Sequence, residues 1–569
     1  MNKNLSDDQV ARLLESIEKH NDHDSNTELE LESDDDNNAS SDDNIPLSQL
    51  LQCYTGKNGF QWSKMPPPSS RTRAHNLVTN LPGIKGPAIV KNNLSPLECW
   101  ELLFSKEIME KIVAYTNQKI NNLKSSSAWV ANQTYTRETD EVEIKSFMGL
   151  KYLTAIFKSN HEDVKSLWST DGTGRDIFRI TMSKNRFLFL LICLRFDDAS
   201  TREQRKTSNR LAPISELFDQ FIFNIQANYT CSEYVTIDEM LSAFRGKCFF
   251  RVYLKSKPAK YGLKIMCLCD AKTHYLYNAF IYAGKSNEPR NPDLSVPTQS
   301  VLKLAEPIFQ TNRNITADNW FSSVELVHQL KAKGLTYVGT MRKNKRELPK
   351  EFLPNKKRQE NSAIYGFTSD KTIVSYVPKK NRSVVLISSM HHEISTDPVT
   401  GKPEVIVFYN STKGGVDALD QKCANFSAMR RTRRWPMVIF STLMNISIVN
   451  GHVIWQASNT NGKITRSDFV KELGLSLIKP QIQKRKLLPT ITRDLHEKMD
   501  RFLGLTPSTS TAENEGSPAP KKAKSGRCHL CARKDDRKCS KNCHKCFKFV
   551  CKKHLVEKIE CTTCFQNQN

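Results

Sequence analysis

Negative charge is scarce along most of this chain. Of 60 Asp and Glu in 569 residues, 14 fall within the first 50, where only 3 Lys or Arg occur. The overall net charge of +24 therefore conceals about +35 on the remainder. Such a surplus excludes a basic partner and points to a phosphate backbone. An apolar leader is also missing: Met1-Asn-Lys-Asn-Leu runs into acidic residues, so no secretory signal is expected. Long uncharged apolar runs are nearly absent. Trp435 to Trp455 holds no Lys, Arg, Asp or Glu and is long enough to cross a bilayer. Pro436, Asn445, Asn450, Gly451 and His452 interrupt it, and a buried helix of a soluble protein without membrane contact is expected. The eight cysteines before residue 528 show no pair spacing. That excludes a disulfide scaffold and fits reduced thiols in the cytosol or nucleus, the nucleus being the expected location.

What is present divides the chain into segments. Residues 1–94 begin with an acidic stretch too polar to bury and continue through Pro66-Pro-Pro68 as an irregular arm, so disorder is the expectation. Residues 95–233 show apolar steps of three and four over Pro96–Phe104, Ile108–Asn117, Val142–Phe157, Met182–Phe196 and Ile214–Tyr229, predicting a helical domain. From 234 to 344 the period changes. A strand ending at Asp238 is followed by Tyr261–Cys269 and His274–Ala283, a hairpin around Asp270-Ala-Lys-Thr. A helix (Ser300–Phe309), a strand ending at Asp318, a helix (Ser322–Lys333) and the strand Leu335–Thr340 complete it. Three antiparallel strands followed by alternating helix and strand is the order of an RNase H-like α/β fold with a mixed sheet. Residues 345–403, Lys-rich with short β-runs at Thr372–Val377 and Ser383–Ser389, read as an insertion. A last β-run, Val405-Ile-Val-Phe408, would complete the sheet within 404–426, and residues 427–504 are helical again. Residues 505–527 form a basic flexible linker, and 528–566 a Cys-rich module.

The sheet segments deliver carboxylates. Val235-Thr-Ile-Asp238 and Ile315-Thr-Ala-Asp318 each end a β-run on an aspartate, which predicts exposed acids at strand ends. Lys413-Gly-Gly-Val-Asp417-Ala-Leu-Asp420 adds two more after a Gly-Gly turn, where a helix can start. Acids from two strand ends and one helix start can converge on a pair of hard divalent cations, Mg²⁺ or Mn²⁺, the arrangement for in-line displacement at phosphorus. Asp238, Asp318 and Asp417 are the expected Mg²⁺ ligands. Asp270 reads as a turn residue bonding locally, and strand alternation should turn Glu239 away from Asp238. Arg245, Lys257, Lys260 and Lys264 surround the first strands. Arg342, Lys343, Lys345 and Arg346 follow the strand after Asp318, while Arg430, Arg431, Arg433 and Arg434 enter the long apolar helix. All are candidate phosphate contacts.

In the tail, Cys528-x2-Cys531, Cys543-x2-Cys546, Cys551-x2-His554 and Cys561-x2-Cys564 supply eight soft ligands in four pairs, enough for two tetrahedral Zn²⁺ sites. Interleaved pairing, first with third and second with fourth, makes this a cross-brace module whose folding energy comes from metal. Cys539 is left as a spare loop thiol.

The strings Ile237-Asp-Glu-Met-Leu-x-x-Phe-Arg-Gly-Lys, Lys257-Pro-x-Lys-Tyr-Gly-Leu-Lys264, Asn314-Ile-Thr-Ala-Asp-Asn-Trp-Phe321, Val338-Gly-Thr-Met-Arg-Lys-Asn-Lys-Arg346 and Thr412-Lys-Gly-Gly-Val-Asp-Ala-Leu-Asp-Gln421 closely resemble the piggyBac transposases. So do Arg434-Trp-Pro-Met437 and the Cys/His tail, and the likeness runs from about residue 95 to 564. The resemblance implies a cut-and-paste DNA transposase that excises an element from TTAA sites and reinserts it there. It implies Asp238, Asp318 and Asp417 as catalytic aspartates with Asp420 as a fourth acid. It implies a dimer whose dimerisation and DNA-binding helical domain is split around the catalytic domain, and double-stranded DNA, both element ends and target, as partner. Asn319, Arg342 and Lys345 would lie near target DNA, and the tail would recognise element ends. No small-molecule substrate is implied. Alternatives are a domesticated DNA-binding protein that no longer transposes, and a tail acting as a histone reader or RING. Against the last two, the third pair is Cys-x2-His and the final gap is short.

Overall fold

The computed structural model describes residues 52–68, 78, 80–255, 257–284, 291–460, 462–505, 526–532, 538–541 and 548–555. The chain forms two compact units, residues 1–505 and 506–569. The acidic stretch 1–51 and most of the 505–527 linker lie outside the described residues.

The region expected to be an irregular arm is instead tied into the first unit. Strands β1 (Cys53–Thr55) and β2 (Gln61–Ser63) form a hairpin. Between them and the helices, β3 (Gly83–Ile84) pairs with β4 (Tyr229–Thr230). Trp62 is fully buried and its indole N–H donates to the Glu347 carbonyl at 2.8 Å. One large buried aromatic can outweigh a polar neighbourhood that composition alone reads as loop.

Helices α1 (Lys106–Ser126), α2 (Glu141–Ile156), α3 (Lys184–Cys193) and α4 (Ser215–Asn228) follow. Asp140 caps α2 by accepting the Glu143 N–H at 2.9 Å, and Ser183 caps α3 in the same way. On α1, Ile108, Ile112, Ile120 and Leu123 recur at helical spacing on the buried face. Inside this layer Glu143 and Arg186 form a buried two-pronged pair, with Nε at 3.0 Å and a terminal nitrogen at 2.5 Å.

Strands β5 (Tyr234–Ala243), β6 (Val252–Tyr253), β7 (Tyr261–Asp270), β8 (Leu276–Ile281), β9 (Asn314–Ala317) and β10 (Thr336–Thr340) build the middle of the sheet. β5 runs antiparallel to β7, from Val235↔Asp270 to Ala243↔Gly262, and β7 antiparallel to β8. On its other side β5 pairs parallel with β9, and β9 with β10, connected through helices α5 (Val296–Ala305) and α6 (Val324–Ala332). The Asp270 carboxylate accepts the N–H groups of Lys272 and Thr273 at 2.8 and 2.9 Å, the local turn role expected of it.

Residues 345–403 do not stand apart. Strands β11 (Ala363–Phe367), β12 (Thr372–Lys379) and β13 (Arg382–Ser388) continue the same sheet, β13 pairing with β10 and β11 with β2. Among the described residues this sheet has eleven strands. Nor is Val405–Phe408 a final strand. It lies in helix α7 (Glu404–Thr412), where Val405 and Ile406 pack on Val338, Val374, Tyr376 and Leu386. With β13 occupying the outer edge of β10, no edge there remains for that segment, and tertiary packing overrides its β-propensity.

Helices α8 (Gly415–Asn425), α9 (Trp435–Ser458), α10 (Arg466–Lys486) and α11 (Arg493–Leu503) complete the unit. α9, the one described helix long and apolar enough to span a bilayer, is almost wholly buried in protein. The polar residues that interrupt its sequence are fasteners. Asn450 grips the Leu276 N–H and carbonyl of β8 at 2.9 Å each, and Asn445 accepts the Ala428 N–H at 2.9 Å. The Tyr152 hydroxyl on α2 joins the Trp100 indole at 2.8 Å to Ser447 at 2.9 Å. Helical and sheet residues share one core, in which Trp100, Phe147 and Phe440 belong with Ile237 and Leu268.

Candidate active site

Asp238 sits midway along β5, not at its end. The neighbouring β9 stops at Ala317, opposite Ile237, so Asp318 emerges beside Asp238 on the adjacent parallel strand. Both carboxylates are anchored locally: Glu239 N–H donates to Asp238 at 2.8 Å, and Trp320 N–H to Asp318 at 2.9 Å. Glu239 turns to the other face, as alternation requires, and pairs with Lys264 at 3.9 Å. Lys264 in turn lies 4.6 Å over the Trp320 ring.

The third and fourth acids come from α8. Asp417 is in its first turn and Asp420 follows one turn later. Thr412, ending α7, fastens this corner to both strands: Thr236 Oγ1 donates to its carbonyl at 2.6 Å, and its own hydroxyl meets Thr316 Oγ1 at 2.8 Å. Gly415 allows the close approach, because a Cβ there would fall 2.5 Å from Thr236 Oγ1. Asp417 itself is open to solvent, 68% exposed, and its partner is Lys257, whose Nζ lies 3.2 Å from Oδ1.

The acids repel one another in a half-buried pocket. Burial, then the charge of Glu239 and that of Asp318, push the Asp238 carboxyl up to about 7. Burial likewise raises Asp318 and Asp420, with Arg342 opposing the first and Lys257 the second. Burial also raises the Tyr409 phenol on α7, with Asp318 and Asp238 adding to the shift. Tyr409 escaped sequence reasoning because its segment was read as a strand. As a helix, that segment puts Tyr409 one turn before Thr412 and Lys413, beside the acids. The donor set, four carboxylates without a soft ligand, fits hard divalent ions, which would relieve the repulsion that raises these groups. Asp238, Asp318 and Asp417 are the residues that would hold them. The acids are spread more widely than a closed ligand shell. Among the described residues only one group of three or more His, Cys, Asp or Glu ligands closes to within 4.8 Å.

That group is Cys528, Cys531, Cys551 and His554, in the second unit. Cys528 Sγ and His554 Nδ1 are 3.5 Å apart, Cys531 and Cys551 Sγ 3.6 Å, and Cys551 Sγ and His554 Nδ1 3.4 Å. A tetrahedron with bonds of about 2.1–2.3 Å has edges of roughly this length, so the set fits Zn²⁺. The first and third pairs thus come together. Cys543, Cys546, Cys561 and Cys564 lie outside the described residues. Cys539 is not on a loop: it pairs in a short strand with Gly526 and is buried against Cys528 and Cys551.

A family profile described as Transposase IS4 matches residues 95–452, which contain all four acids. The solved cryo-EM structure of the piggyBac transposase synaptic complex with hairpin DNA superposes with TM-score 0.71. It is 34% identical and covers 85% of this chain and 100% of that one. The chain belongs to the piggyBac transposase family, of the IS4 type. Human relatives include PiggyBac transposable element-derived protein 3, 20% identical over 60% of this chain and 58% of its own length. Human PiggyBac transposable element-derived protein 2 is 22% identical over 64% and 61%. The chain thus spans about three-fifths of these curated relatives.

Within this piggyBac fold the candidate DNA-contact residues separate into two groups. Arg245, Lys260, Asn319, Arg342, Arg431 and Arg433 are exposed and Lys345 half-buried, all accessible to a polyanion. Three others are committed elsewhere. Arg430 donates to the Ser159 carbonyl at 3.1 Å and to that of Glu162. Arg434 donates to the carbonyls of Leu191 and Ile192 at 3.2 and 3.1 Å, closing the C-terminal end of α3. Lys257 belongs to the acidic site. Sequence proximity to a basic cluster could not distinguish a guanidinium that caps a helix from one facing solvent.

Proposed function

We propose that this chain is a cut-and-paste DNA transposase that excises an element and reinserts it at TTAA by metal-dependent phosphoryl transfer. The observation that carries this is Asp238 on β5 beside Asp318, just past the end of the parallel strand β9, with the start of α8 and its Asp417 and Asp420 fastened to β5 through Thr412 and Thr236. The strand order, three antiparallel strands then two parallel ones, supports naming the sheet RNase H-like. Divalent ions held by Asp238, Asp318 and Asp417 would activate the attacking hydroxyl and stabilise the leaving oxygen. Asp318 and Asp238 supply fixed oxygens whose backbone hydrogen bonds limit their swing. Asp417, in the first turn of α8, would complete the set, with Asp420 adding negative charge one turn later. Arg342 and Lys345, beyond β10, would hold target DNA against this edge, with Asn319 beside them.

The rest of the reading follows the family: a homodimer acting in the nucleus, with the helical segments 95–233 and 427–504, which flank the catalytic domain in sequence, serving dimerisation and DNA binding. A tail with two zinc sites would recognise element ends. The similar piggyBac transposase was solved as a synaptic complex with hairpin DNA, which supports DNA as partner. The intact acid set favours an active enzyme over a domesticated DNA-binding protein. The test is nicking of an element-end duplex with Mg²⁺ by Asp318→Asn. Loss of cleavage by several orders of magnitude with DNA binding retained is expected. Nicking at the wild-type rate would overturn the assignment.

A further inference from the structure

Sequence proximity suggested Lys257 as a phosphate contact, but its ammonium points into the acidic site. Its Nζ lies 3.2 Å from Asp417 Oδ1 and 3.0 Å from the Glu239 carbonyl. It thereby bridges the central strand β5 and the first turn of α8. The side chain is mostly buried, with 15% exposure, so it is no surface lysine that has swung inward by chance. Its backbone is held in a closed turn: Leu254 N–H donates to the Lys260 carbonyl at 2.7 Å, and Lys260 N–H to the Lys257 carbonyl at 3.1 Å. Lys260 adopts φ +57 to complete that turn. An ammonium seated against the Asp417 carboxylate, at the edge of a cluster of acids, is held there as a cation by its ion pair. Two other cations, Lys264 and Arg342, bear on Asp318, Lys264 also pairing with Glu239 and lying over the Trp320 ring.

We propose that Lys257 is an internal counter-cation of the acidic site, a positioning residue that holds Asp417 towards β5 and occupies its ligand face until a divalent ion displaces it. The inference rests on the metal-site reading above. A charge so placed opposes divalent binding and at the same time keeps the site from flying open when metal is absent. Coulomb repulsion between an ammonium and a divalent ion a few ångströms apart makes the opposition worth at least about tenfold in Kd.

The experiment is a Mn²⁺ titration of the DNA-free, zinc-loaded full-length protein, with free Mn²⁺ read by its electron paramagnetic resonance. Lys257→Met and Lys257→Gln should bind Mn²⁺ at least about tenfold more tightly than wild type, while Lys257→Arg should match wild type. Both neutral variants should also melt earlier than wild type without divalent ions and regain stability when Mn²⁺ is added. Two neutral replacements guard against one that fails to fold, which circular dichroism would reveal. Unchanged or weaker Mn²⁺ affinity in folded Lys257→Met and Lys257→Gln overturns the counter-cation role and returns Lys257 to a phosphate contact. Absence of Mn²⁺ binding in wild type and variants alike would instead overturn the metal site itself.

Discussion

Replacing Asp238 with Asn should stabilise this protein at alkaline pH when no Mg²⁺ or Mn²⁺ is supplied. Burial, Glu239 and Asp318 hold the Asp238 carboxyl at about 7 against an ordinary 3.8. The folded chain therefore binds a proton more tightly than the unfolded one. Stability from this group is fully present below about pH 4 and is lost as pH rises through 7. At about 1.4 kcal/mol per pK unit the whole loss is roughly 4 kcal/mol, of which about 2 kcal/mol develops between pH 5.5 and pH 8. The Asn variant lacks the titrating group, so its stability relative to wild type should climb by that amount across the interval. Urea unfolding of zinc-loaded wild type and Asp238→Asn at both pH values measures it, and comparing the gap at two pH values cancels any pH-independent packing change. Adding Mg²⁺ at pH 8 should restore wild type more than the variant, because the ion compensates the carboxylate. A gap that stays constant from pH 5.5 to pH 8 would refute the claim that Asp238 carries an unfavourable buried charge.

Three further outcomes follow from the same geometry. Gly415→Ala would set a Cβ 2.5 Å from Thr236 Oγ1; it should cost about 1–3 kcal/mol of stability and reduce nicking by displacing Asp417, as unfolding and cleavage assays would report. Arg434→Ala should lower the melting temperature, losing about 1–3 kcal/mol from the freed carbonyls ending α3, while leaving affinity for element-end DNA within about twofold, since those contacts hold protein rather than phosphate. Cys551→Ser should remove one zinc per chain by elemental analysis, because Cys551 lies 3.4–3.6 Å from two partners of the Cys₃His group.

Many of the candidate site residues stand out in the chain alone. Long ordered strings around Asp238, Asp318 and Asp417, a basic body and paired soft ligands in the tail are local facts of composition and spacing. The switch from helical to alternating period near residue 234 is equally local; alternation put Glu239 with Lys264, but its charge still bears on Asp238 and Asp318. What sequence could not decide depended on partners distant in the chain. Val405–Phe408 has strand chemistry, but β13 had already filled the edge of β10, so the segment became a helix and carried Tyr409 to the acids. Cys53–Ser63 looked like loop until Trp62 found its pocket beside Glu347. Asp238 looked like a strand end because its β-run meets an acid there, but pairing with β7 carries β5 on to Ala243. Arg430, Arg434 and Lys257 share a residue class with the exposed cations, yet each is claimed by carbonyls or carboxylates at least 18 positions away in sequence. The chain by itself determined which chemistry is available; only the tertiary structure decided which charges are spent inside the protein, because neutralisation depends on what lies within a few ångströms.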